Sequence, residues 1–92
     1  MIMKYRNRYE IISSILESAK TGITKTKIMY NVFLSYAQTI SYLKYLQEHT
    51  LLIFEEESQL YRTTKKGLEF LKLSHELSQV IHFPNSSTEI NK

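Results

Sequence analysis

The segment "LLIFEEESQLYRTT", Leu51 to Thr64, constrains the fold of this chain more than any other. Strand-favouring Leu, Ile, Phe, Tyr and Thr flank a polar Glu-Glu-Ser-Gln centre, so the segment reads as a β-hairpin pairing Leu51 to Glu55 with Leu60 to Thr63. A lone hairpin is barely stable in water. It has to lie on an apolar surface, and the rest of the periodic sequence offers only helices to supply one.

Upstream, Tyr9, Ile12, Ile15, Leu16 and Ala19 recur at three- and four-residue steps and predict a helix from Tyr5 to Lys20, which Gly22 stops. A short second helix starts after Thr24, a good N-cap, and runs through "KTKIMYNVF" with Ile28, Met29 and Val32 as its apolar contacts. Leu34 and Ser35 break the chain again. Ser35 then caps a third helix from Tyr36 to about Glu48, anchored by Leu43 and Leu46 together with either Thr39 or Ile40. After the hairpin, Thr63 or Thr64 caps a last helix, "KKGLEFLKLSHELSQVIHF", which Pro84 ends. The expected fold class is mainly α with a small β-hairpin. A short helix joined by a tight turn to a polar-faced helix, followed at once by a hairpin, is a winged helix-turn-helix. The expected division is residues 1–63 for that domain, 64–83 for a C-terminal dimerisation helix and 84–92 for a polar tail.

Composition narrows the function. Ninety-two residues support one core. With no cysteine there are no disulfides, no thiolate chemistry and few routes to structural zinc. His49, His75 and His82 have no metal-site spacing and read as surface residues. No nucleophile and base pair, Gly-rich phosphate loop or paired-carboxylate pocket stands out, so neither an enzyme nor a bound cofactor is expected, and no small-molecule ligand is evident. No apolar run is long enough to span a bilayer, and "MIMKYRNRYE" lacks the apolar stretch of a secretory signal; the expectation is a cytoplasmic, nucleoid-associated protein. The net charge of +3 is modest, but its layout is uneven. From Ser18 to Gln47 there is no Asp or Glu, whereas Lys20, Lys25, Lys27 and Lys44 lie in that stretch and Lys4, Arg6 and Arg8 precede it.

Three segments, "MKYRNRYEII", "TKTKIMYNVFLSYAQ" and "YRTTKKGLEFLKL", resemble in that order the small archaeal winged-helix DNA-binding proteins identified as transcriptional regulators. The resemblance covers roughly Met3 to Leu77. It implies double-stranded DNA as a partner and a long C-terminal helix that pairs in a homodimer, with some relatives serving as abundant chromatin-like proteins. Members of that family often have leucine where this chain has Thr39, a charged residue at Ile40 and glycine at Thr50.

In such a fold the third helix lies in the major groove. The polar face of "LSYAQTISYLKYL" suits that role, with Gln38, Ser41, Lys44 and Tyr45 outward and Ser35 at the entry. A Gln carboxamide can pair in a bidentate manner with adenine, and hydroxyls can bond bases or phosphates. The competing reading takes Tyr36, Tyr42 and Tyr45 as core-edge rings with wet hydroxyls, and Gln38 as a solvated residue. Thr24, Lys25, Thr26 and Lys27 begin the second helix, where free amides and the macrodipole favour phosphate. Arg6 and Arg8 can clamp the backbone beside the first helix or simply be solvated. In the wing the Glu run repels phosphate, which leaves Arg62 and Gln59. In the last helix Leu68 and Leu71 form one stripe expected to pack on the domain, while Phe70, Leu73, Leu77 and Val80 form an a/d seam expected to pair with a second copy. The function read from these features is a dimeric, sequence-specific or architectural DNA-binding protein. The alternative is a winged-helix module for protein interactions that does not contact DNA.

Overall fold

The computed structural model describes residues 7–80, and the side chains of 7–77 among them. The elements follow in the order α1 (Arg8–Ser18), α2 (Lys25–Val32), α3 (Tyr36–Glu48), β1 (Leu52–Glu55), β2 (Leu60–Thr63) and α4 (Lys65–Val80). The fold is therefore mainly helical with a two-stranded antiparallel hairpin, in register Leu52 to Thr63 and Glu55 to Leu60.

Each helix starts where a side chain can take an orphan amide. Asn7 and Glu10 form a reciprocal capping box on α1, Thr24 accepts from Lys27 N–H on α2, Ser35 and Gln38 form a second box on α3, and Thr64 accepts from Gly67 N–H on α4. The first helix thus begins three residues later than its apolar period suggests, and Tyr9, expected on the buried face, is exposed. Ile12, Ile15 and Leu16 of α1 pack instead with Ile28, Val32, Leu34, Leu43, Leu46, Leu52 and Leu71 in one core.

The hairpin is held to the helices as its marginal stability requires. Ile23, in the α1–α2 connection, exchanges both backbone hydrogen bonds with Tyr61 (3.0 and 2.8 Å), and Thr63 donates its hydroxyl to Leu16 C=O at 2.6 Å. The Ile23 bridge adds a one-residue third strand to the sheet, which periodicity could not reveal. Gly22, at φ 95°, makes the turn before it; a Cβ there would lie 3.0 Å from the Arg62 guanidinium.

At the end of α3, Leu51 N–H bonds Leu46 C=O and Thr50 N–H bonds Gln47 C=O, the paired bonds of a Schellman motif. The motif needs a left-handed residue, and here a β-branched one holds the place: Thr50 has φ 57°. Thr50→Gly should stabilise the domain by about 1 kcal/mol, raising Tm by roughly 4–8 °C in a thermal melt. A lower Tm would mean that the Thr50 hydroxyl bond to His49 C=O outweighs the backbone strain.

Two expectations for α4 are corrected. Leu71 is buried, but Leu68, expected beside it on the domain, is 44% exposed, and Phe70, expected in the outer seam, packs partly against the core. The reason lies at Gly67, which is buried against the backbone of Leu51 and sets the rotation of the helix. Positions 67, 70, 71 and 74 then face inward, while Leu68 and Leu73 lie on opposite flanks. Val80 ends the helix, its side chain outside the described residues. Arg6, His82 and Pro84, with the tail, also lie outside them.

Candidate nucleic-acid interface

The rotation of α3 decides which of its side chains can meet a ligand. Thr39, Leu43 and Leu46 are its buried residues, so the inward position left open by the sequence belongs to Thr39. Its hydroxyl donates to Ser35 C=O at 2.8 Å, which satisfies it inside the core. Opposite that face, the helical period aligns Ala37, Ser41, Lys44 and Glu48 as the outermost line, all exposed. Of the tyrosines, Tyr42 is half-buried against the core, as a core-edge ring should be, whereas Tyr36 is well exposed. Tyr45 is partly exposed and its ring lies 4.3 Å from that of His49.

Open grooves flank this line. On one side, Arg8 from the start of α1 joins Ala37, Gln38, Ser41, Tyr42 and Tyr45. The structure thus brings together four of the residues singled out in the sequence, Arg8, Gln38, Ser41 and Tyr45. On the other side, Ile40, Leu43, Lys44, Gln47 and Glu48 face Tyr61 of β2. Ala37 and Ile40 were not anticipated as site residues, because an apolar side chain gives no polar signal; only the helical phase identifies them.

Gln38 is where local chemistry modifies the sequence reading. Its Oε1 accepts Ser35 N–H at 2.9 Å, and its own N–H donates to Ser35 Oγ at 3.1 Å. In that conformation the carboxamide oxygen is committed to the cap and only the amino group faces outward, so bidentate pairing with adenine requires the cap bond to break first. Lys25, the first residue of α2, places its ammonium 5.2 Å from the centre of the ring of Tyr36, the first residue of α3, a cation–π contact between the two helices. Thr24, Thr26 and Lys27 are exposed beside them. Neither helix carries an acid in its first turn, so no carboxylate there opposes the positive dipole end of either helix.

The wing differs in character. Arg62 does not project alone; its Nε and Nη2 donate to the two carboxylate oxygens of Glu55 at 2.8 and 3.1 Å. The hydrogen bond from Arg62 holds the Glu55 carboxyl below its ordinary range, against a smaller opposing effect of burial. The pair is therefore fully charged at neutral pH and loosens only as pH falls through that lowered value. With Arg62 engaged, Glu56 and Glu57 leave the wing tip negative. Gln59, at φ 60°, turns its amide onto Glu56 C=O.

Among the described residues, no three acidic or histidine side chains gather as metal ligands, and no helix is long and apolar enough to cross a membrane. On α4, Leu73 is 61% and Leu77 57% exposed, an apolar flank that no other described residue covers. A family model described as winged helix-turn-helix matches residues 5–82. Comparison with curated proteins gives no significant match.

Proposed function

The chain belongs to the winged helix-turn-helix family, and on that basis we propose that it is a non-enzymatic protein that binds double-stranded DNA. The observation that carries this reading is the pair of acid-free helix starts, α2 and α3, linked by Lys25 packed on Tyr36, with the exposed line of α3. Phosphates fit the amide ends and lysines, and the groove floor fits the outer line of α3. Ser35, Ser41, Lys44 and Tyr45 supply polar contacts in this arrangement, and Arg8 reaches the backbone beside α1. We further propose that two copies pair through Leu73 and Leu77 of α4, with Phe70 and Val80 at the margins, and that the dimer acts on the nucleoid as a transcriptional regulator or architectural protein. The competing reading, a module for protein partners alone, draws on the wing, where Glu55 neutralises Arg62 and the tip is acidic.

Replacing both Lys25 and Lys27 by Ala should weaken binding to all duplexes alike and reduce the slope of log K against log salt by about one to two, on roughly 0.9 for each phosphate no longer neutralised. Fluorescence anisotropy with a labelled random duplex at several salt concentrations measures it. An unchanged slope would remove the α2 N-terminus from the interface.

A further inference from the structure

Two neighbouring positions on α3 have their polarity inverted. Thr39 is 0% exposed and Ile40 is 38% exposed. Burial of apolar surface favours the opposite order, because an isoleucine gains more than a threonine from leaving water. The inversion is tolerated because the Thr39 hydroxyl is bonded within the helix. A single exposed aliphatic side chain is ordinary on a protein surface. The setting of Ile40 is not: it lines the wing-side groove together with Lys44 and Gln47, three residues after the exposed Ala37 and next to Ser41. Local departures of this sort collect where a surface has work other than stability.

We propose that Ile40, with Ala37 beside it, reads the C5-methyl group of thymine in the major groove. The inference rests on the DNA-binding reading above and adds to it the class of base that this edge of the helix selects. Among the four bases only thymine offers a methyl on its major-groove edge, where the other groups that distinguish the bases are hydrogen-bond donors and acceptors. An isoleucine can pair with none of those. Placed against the cytosine amino group it leaves a donor dry, and placed against thymine it covers a methyl. Lys44, in the same groove, supplies the charge that brings a phosphate strand close, whereas Glu48 marks the end of the helix where a strand is repelled. The groove thus complements a methyl-bearing base edge flanked by phosphate.

The test begins with a duplex chosen by selection from random DNA and replaces its thymines one at a time by deoxyuridine, which removes the methyl and leaves every hydrogen-bonding group. Wild-type protein should lose about fourfold in affinity at one or two positions per half-site, the effect of one buried methyl. Ile40→Ser removes both apolar branches and keeps the helix phase. It should bring the thymine-to-uracil ratio at one of those positions close to one, with the salt slope unchanged and the helical circular dichroism retained. Affinity that is blind to every such replacement, or a ratio untouched by Ile40→Ser, overturns the inference while leaving DNA binding intact. Absence of binding to any duplex would overturn both and return the groove to a protein partner.

Discussion

Gly67→Ala is expected to lower the melting temperature by roughly 12–24 °C, corresponding to a loss of about 3 kcal/mol, although α-helix propensity alone predicts a gain of about 1 kcal/mol. A Cβ built at Gly67 lies 2.4 Å from the Leu51 carbonyl oxygen and 2.6 Å from Thr63 Cγ2. Neither neighbour can give way cheaply. Leu51 C=O accepts Thr64 N–H at 3.1 Å while its own N–H closes the Schellman motif, and Thr63 is tied to α1 by its hydroxyl and by its N–H on Ala19 C=O. The clash therefore pushes α4 off the domain, and Leu71 leaves the core with it. A thermal or urea melt followed by circular dichroism reads the effect. A higher Tm would show that α4 is free to rotate and that its phase is not set at Gly67.

The second large effect is on assembly. Replacing Leu73 and Leu77 by Glu should convert a homodimer into a monomer, raising the dissociation constant about a thousandfold or more, since each leucine buried in a partner contributes roughly 1.5–3 kcal/mol before association entropy is subtracted. Both side chains are largely exposed in the single chain, so the domain should still fold, losing only the stabilisation that pairing adds. Sedimentation measures the change in mass. The variant should also lose most of its affinity for a duplex carrying two half-sites about one helical turn apart, while keeping weak binding to one half-site. If the unaltered chain already sediments as a monomer at high micromolar concentration, the exposed flank of α4 has another role and the dimer proposal is wrong.

The parts of the fold that were legible from sequence are those governed by neighbouring residues. Thr24, Ser35 and Thr64 announce helix starts because a short hydroxyl side chain reaches an amide two or three residues on. The pattern Asn7-x-x-Glu10 marks an equally readable start for α1, three residues after the start at Tyr5 that the apolar period alone suggests. The hairpin was legible from its β-favouring flanks. What sequence could not settle is the rotation of helices whose apolar pattern allows two answers. In α3 the choice between Thr39 and Ile40 turns on an internal hydroxyl bond, and polarity alone points to the wrong residue. In α4 the choice between the Leu68 and Phe70 flanks is made by the close approach of Gly67 to Leu51, two residues sixteen apart in the chain.

The candidate site was legible to a similar degree. Arg8, Gln38, Ser41 and Tyr45 share one groove, as an outward polar face requires. The two side chains whose chemistry changed are both engaged locally. Gln38 closes a cap, and Arg62 pairs with Glu55 across the hairpin, a partner seven residues away that only the strand register brings within reach.

If the α2 N-terminus and the outer line of α3 form the DNA surface while the acidic wing tip stays clear of it, the backbone amides of these segments will report it directly. The measurement is the change in amide resonances as a short duplex is titrated into isotope-labelled protein at moderate salt. The largest shifts are expected at Thr24 to Lys27 and at Ala37, Ser41 and Lys44, with Glu56 to Ser58 unmoved and all shifts reversed by high salt. Shifts centred on the wing tip, or confined to Leu73 and Leu77 of α4, would contradict that assignment of the DNA surface.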